Sequence, residues 1–227
     1  MSRTALDPVA SAAVITQARE GRTPRPLDFP AGLRPRDATE AYAVQDAVVR
    51  ARGPIAGWKV GAASPQAQPA RAALTRDSVW VAAAGEPVLL AASGFAVMGV
   101  EAEWVYELRA DLPARATPYS AAEVLSAVVS VRAAIEVCDT RFAAWAQQGE
   151  WSRLADQACH GALIVGTGTH DVATAQPLAQ AVTLSVNGAV AVQHATWGNP
   201  AGDPLRLLVW LANEGARSLG GLRAGHW

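Results

Sequence analysis

The stretch Val100–Leu108, VEAEWVYEL, restricts the fold of this chain more than any other. A β-strand sends alternate side chains to opposite faces, so Glu101 and Glu103 stand side by side, with Val100, Ala102, Trp104, Tyr106 and Leu108 covering the other face. Two neighbouring carboxylates repel each other and resist burial, so they are tolerated in water or around a cation that neutralises them. The spacing alone leaves both arrangements open. One is a half-exposed strand whose wet face carries Glu101, Glu103 and Glu107. The other is a set of hard oxygen ligands of the kind that magnesium and manganese require.

A second anomaly lies downstream. Val131 to Cys138 reads as a mostly apolar strand interrupted by Arg132 and Glu136, and a glutamate is almost never buried unless paired. An edge-facing Glu136 is the ordinary alternative. Upstream, Gly57-Trp58-Lys59-Val60-Gly61 is a short strand bracketed by glycines, which let a backbone pass close to something else, with Lys59 at its centre. By itself Lys59 reads as a strand lysine reaching solvent.

The remaining text mixes helices and strands. Asp7-Pro8 opens a first helix that Gly21 stops, and prolines 24, 26, 30 and 35 make the next segment an extended connector. Asp37 and Glu40 form a capping-box variant for a second helix through about Arg52. The expected organisation is a helical region over residues 1–55 ahead of a core spanning 56–227, or one continuous domain. Ser78–Ala82 suggests a strand, and Leu112-Pro113 is expected to end the pairing of the central strand. Ser120 and Glu123 cap a helix to about Val129, and Gly161–Gly166 is a compact buried strand. Asn187-Gly188 sets a type I′ turn between VTLSV and AVAVQ. Asp203-Pro204 starts a last helix that runs to Gly220-Gly221. Without a regular βαβ rhythm, the class is mixed α+β. Gly166-Thr167-Gly168 lacks the third glycine and the helix of a dinucleotide-binding loop.

With 51% hydrophobic residues the chain can fill a core, and a net charge of −1 gives no field to attract nucleic acid or an anionic membrane. A small-molecule partner is expected. Cys138 and Cys159 form neither a metal-type pair nor a disulfide framework, which fits a reducing cytoplasm. The N-terminus has no signal-sequence pattern, and no apolar run approaches the roughly 20 residues of a membrane span.

GWKVGAASPQAQ (57–68), VEAEWVYELRADLP (100–113), AAIEVCDTR (133–141), DQACHGALIVG (156–166) and GNPAGDPLRLLVWLAN (198–213) resemble, in order and spacing, the 2-keto-4-pentenoate hydratase family of the fumarylacetoacetate hydrolase superfamily. The resemblance implies a mixed β-sandwich or roll with outer helices, and Mg²⁺ or Mn²⁺ held by Glu101, Glu103 and Glu136. It makes Lys59 the general acid/base or oxyanion stabiliser, and places Gly57, Gly61 and Cys159 against substrate. That substrate would be a small 2-oxo or 2-hydroxydienoic acid. The implied assembly is a homo-oligomer, with a paired decarboxylase as a further partner.

Three other readings share this scaffold or descend from it. They are a 4-oxalocrotonate-type decarboxylase, an acylpyruvate hydrolase, and a shortened subunit without catalysis. The hydrolase needs a His-Glu pair that the N-terminal half, which lacks histidine, does not supply. His160, His170, His194 and His226 read as structural or surface residues, Glu107 as surface and Asp77 as a solvated loop residue. Gln157 and Cys159 stand where the family pattern has Asn and Ser. Family members usually continue past the equivalent of LRAG into a strand and a substrate-closing loop, whereas this sequence stops at Trp227, so an open sheet edge is expected to favour association.

Overall fold

The computed structural model describes residues 5–173, 175–196 and 198–227. Its main-chain hydrogen bonds define five α-helices among the described residues: α1 (Pro8–Arg19), α2 (Ala38–Arg52), α3 (Ala121–Ser126), α4 (Glu150–Ala155) and α5 (Pro204–Trp210). The strands are β1 (Ile55–Gly61), β2 (Ala70–Thr75), β3 (Val79–Val81), β4 (Gly99–Leu108), β5 (Leu112–Pro113), β6 (Val128–Cys138), β7 (His160–Thr169), β8 (Val182–Val186), β9 (Ala189–His194) and β10 (Gly221–Leu222). The largest sheet has the order β3-β7-β6-β4, and β1 pairs with β2. Two compact units emerge, one from Met1–Lys59, Arg71–Glu101 and Ile135–Val165, the other from Val60–Ala70, Ala102–Ala134 and Gly166–Trp227. No helix among the described residues is long and apolar enough to cross a membrane.

In the first unit the helix starts follow the local chemistry. Asp7 accepts from the amides of Val9 and Ala10, and Asp37 accepts from the amide of Glu40 at 2.9 Å while the Glu40 carboxylate accepts from Arg36 N. α1 and α2 pack together, and Ala12 and Ile15 of the first and Val44 and Val48 of the second are buried. The short α4 packs on α2, where the buried Gln45 amide donates to the carbonyls of Arg71 and Leu154. The proline-rich connector is tied down by Phe29, whose ring meets Phe142 at 5.0 Å, and by Arg25, which donates to Thr140 O at 2.7 Å. Ser78–Ala82 is not one strand. Arg76–Ser78 form a single 3-10 turn in which Thr75 Oγ1 bonds Asp77 Oδ1 at 2.6 Å, and such local side-chain bonds compete with ladder formation. Only Val79–Val81 pair, in parallel register with Leu163–Val165. Asp77 is not merely solvated either, since Arg52 forms an ion pair with it.

β4 departs from simple alternation. It lies at the sheet edge, Val100 and Ala102 are exposed together with Glu101, and burial begins only at Val105 and Leu108. In the second unit Glu107 is not a free surface acid. Its carboxylate accepts from Ser130 Oγ at 2.5 Å and pairs with Arg132 at 3.2 Å, because β6 carries both partners. The Ser120–Glu123 capping box forms as the sequence dictates, but α3 stops at Ser126, where the β-branched Val128, Val129 and Val131 favour a strand. Asn187 (φ 53°) and Gly188 (φ 80°) make the expected turn between β8 and β9. The last helix is interrupted: α5 passes into a π-helical turn at Leu211–Gly215 and a 3-10 turn at Arg217–Leu219 before Gly220.

Leu112-Pro113 does not end strand pairing, because it pairs antiparallel with Gly221–Leu222. Two-residue pairing of this kind tolerates a proline that offers no donor. Gly221 makes it possible: its φ is 93°, and a Cβ there would sit 2.4 Å from Leu112 O. Gly221→Ala is therefore expected to cost about 1–3 kcal/mol through backbone strain. Chemical denaturation would read this as a lowered midpoint, and an unchanged midpoint would show that the β5–β10 pairing contributes nothing.

Candidate functional site

Four segments of the first unit place ionisable side chains together. The centre of β1 supplies Lys59, the start of β4 supplies Glu101, the end of β6 supplies Glu136 and Cys138, and the first residue of β7 supplies His160. Lys59 Nζ lies 2.7 Å from Glu136 Oε2 and 3.6 Å from Glu101 Oε2. On the other side of the Glu136 carboxylate, His160 Nδ1 lies 2.9 Å from Oε1, and His160 Nε2 is 3.0 Å from Ser78 Oγ. Glu136 is 3% exposed and His160 2%. Ligand atoms of Glu101, Glu136 and Cys138 all fall within 4.8 Å of one another.

The charges explain why an acid survives burial here. Burial alone would raise the Glu136 pKa, but the hydrogen bond from His160 and the positive charge of Lys59 outweigh it, and the carboxyl titrates below its ordinary range. Burial works against the Lys59 ammonium, and the Glu136 carboxylate more than offsets it, so the lysine holds its proton more tightly than a free one. His160 is pushed down, first by burial, with Glu136 acting in the opposite sense. Both ring nitrogens are engaged: Nδ1–H donates to Glu136, and Nε2 meets Ser78 Oγ, whose own hydroxyl donates to Thr75 O at 2.9 Å. The Cys138 thiol is pushed up to about 12, chiefly by burial and then by the negative charge of Glu136.

The loop before β7 is strained. Gln157, Ala158 and Cys159 have φ values of 51°, 50° and 62°, a left-handed run without a glycine. It is held by Asp156, which is fully buried and accepts from Thr140 Oγ1, from Arg141 N and from the Arg141 guanidinium. Arg141 and Arg19 both donate to His160 O, at 2.6 Å each, so the carbonyl of the histidine is fixed from two directions. Gln157 Nε2 donates to Ala73 O at 3.2 Å.

The residues expected from the sequence sort as follows. Lys59, Glu101 and Glu136 meet in one cluster, while Glu103 follows two residues along β4, half-buried, in the second unit. Gly57 is buried in β1. Gly61 is not at a close backbone approach, since a Cβ there would meet no heavy atom within 4 Å. Cys159 is half-buried in the strained loop. Three contributors escaped the sequence reading: Cys138 beside the acids, and Ser78 and His160 behind Glu136. The buried His160–Glu136 pair is not legible in the sequence, and it lies outside the N-terminal half in which the hydrolase pair is sought. The only available signal was His160 standing inside a family motif.

No family model matches the chain. Over 221 residues, covering 90% of this chain and 79% of its relative, it is 33% identical to the 2-keto-4-pentenoate hydratase of Burkholderia vietnamiensis (strain G4 / LMG 22486). Two solved structures of the 4-oxalocrotonate decarboxylase from Pseudomonas putida G7 share its fold. The structure complexed with calcium and acetate superposes with a TM-score of 0.75 and the one with magnesium and adipate with 0.76. Each is 24% identical and covers 99% of this chain and 87% of the other. The mixed α+β architecture expected from the sequence is the fold these structures have.

Proposed function

The chain belongs to the 2-keto-4-pentenoate hydratase family, and from that membership we propose that it is a divalent-metal-dependent hydro-lyase. Its substrate would be 2-hydroxypenta-2,4-dienoate or a related 2-oxo acid, and its product a 4-hydroxy-2-oxo acid. The observation that carries this reading is the convergence of Lys59, Glu101 and Glu136 from three different strands. Glu101 and Glu136, joined by Glu103 in the family pattern, would hold Mg²⁺ or Mn²⁺. The donor set suits such an ion, because carboxylate oxygens are its preferred ligands and Glu101 is open to solvent. When bound, the ion supplies Lewis acidity toward the carboxylate and 2-oxygen of the substrate.

The protein groups supply proton handling and position. Lys59, kept charged by Glu136 at 2.7 Å, donates toward negative charge developing on the substrate oxygen or delivers a proton to the carbon chain during ketonisation. Its pairing with Glu136 holds the proton on the amine, which suits Lys59 to give a proton rather than to take one. His160 fixes the direction of the Glu136 carboxylate, and Ser78 fixes His160. With both ring nitrogens engaged and the ring buried, His160 is a positioning residue rather than a water-activating base, which argues against hydrolysis.

Mg²⁺-dependent loss of the dienol absorbance tests the proposal, with 4-oxalocrotonate assayed in parallel. Turnover of the dienoate with Mg²⁺ and none after chelation is the expected result. Release of CO₂ from oxalocrotonate without dienoate turnover would replace hydratase by decarboxylase. Inactivity toward both, with no Mg²⁺ binding, would leave a structural subunit.

A further inference from the structure

We propose that Cys138 is a ligand in the cation site, and that it biases this chain's centre toward thiophilic divalent ions of the Zn²⁺ and Cd²⁺ kind over Mg²⁺. The inference rests on the metal reading above and adds a donor and a selectivity to it. Glu136 and Cys138 are two residues apart on β6, so both side chains leave the same face of the strand. The donor atoms of Glu101, Glu136 and Cys138 already lie within 4.8 Å of one another. Around one ion, with metal–sulfur near ~2.3 Å and metal–oxygen near ~2.1 Å, sulfur and oxygen stand roughly 3.5 Å apart, so a closure of about an ångström completes the set. Lys59 Nζ, now between the two carboxylates, has to move aside as the ion enters.

A thiolate is a soft ligand that zinc and cadmium accept readily, whereas magnesium takes oxygen almost without exception. Cys138 is half-buried and not in a disulfide, so its sulfur is available. On coordination the S–H bond breaks, a metal–sulfur bond forms and the proton passes to buffer. Magnesium would use the carboxylates alone.

Cd²⁺ titration of the whole protein tests this, read by thiolate-to-cadmium charge-transfer absorption, with Mg²⁺ and Zn²⁺ binding followed by calorimetry. Wild type and Cys159→Ala are expected to develop the absorption stoichiometrically. Cys138→Val should lose it and bind Cd²⁺ and Zn²⁺ about 10–100-fold more weakly, with Mg²⁺ affinity unchanged. Cys138→Ser, closer in size, should behave like the valine variant and guards against a packing artefact. A band that survives in both Cys138 variants, or a wild type that binds Mg²⁺ yet develops no band with Cd²⁺, overturns the role of Cys138 and leaves the Mg²⁺ reading standing. Failure of wild type to bind Mg²⁺, Zn²⁺ or Cd²⁺ removes both.

Discussion

Lys59→Met is expected to lower kcat/KM by about 10²–10⁴-fold while tightening Mg²⁺ binding by about tenfold or more. The two effects have one origin. Lys59 Nζ sits 2.7 Å from Glu136 and 3.6 Å from Glu101, where it holds the positive charge that the two acids demand. Two unit charges about 4 Å apart interact by about 4 kcal/mol at an effective dielectric near 20. A neutral side chain removes that repulsion from an incoming cation, and only part of it is needed for the affinity gain. The same substitution leaves Glu136 buried beside a neutral neighbour, so the metal-free protein should melt earlier and recover when Mg²⁺ is added. Steady-state kinetics together with calorimetric Mg²⁺ titration and melting curves check all three. Unimpaired turnover would remove Lys59 from the chemistry, and weakened Mg²⁺ binding would show that the lysine supports the ion rather than competing with it.

Asp156→Ala should cost about 3–5 kcal/mol of stability. Asp156 is fully buried and Arg141 2% exposed, so deletion of the carboxylate strands a buried guanidinium. The lost carboxylate also frees the Thr140 hydroxyl and the Arg141 amide, both of which it holds at 2.9 Å. For a chain of this length that energy corresponds to a Tm lowered by about 6–20 °C. Asp156→Asn keeps one acceptor and the shape, and should lie between the two. A thermal scan in which Asp156→Ala melts within a degree of wild type would mean that water reaches Arg141 readily, contrary to its burial.

The parts of the fold that the sequence spelled out are those set by local chemistry. Asp37 with Glu40, Ser120 with Glu123 and Asn187-Gly188 each decide a cap or a turn within four residues. Glu101 and Glu136 stood out because carboxylates among apolar strand neighbours need an explanation, and the family resemblance supplied one. What stayed hidden depends on distant partners. His160 and Ser78 are 82 positions apart, and nothing near either predicts their bond. Cys138 looked like one more small apolar residue on a strand. The β5–β10 pairing and the left-handed run at 157–159 are imposed by tertiary structure on residues whose own preferences point elsewhere. The π-helical turn at Leu211–Gly215 leaves no trace in helical periodicity.

That left-handed run also bears on how the protein could be made hardier. Gln157, Ala158 and Cys159 each occupy a backbone well that disfavours them by about 1–2 kcal/mol, a reserve that glycine substitutions would recover. Recovering it would loosen the segment that delivers His160 behind Glu136, so resistance to heat and alignment of the acid draw on the same three residues.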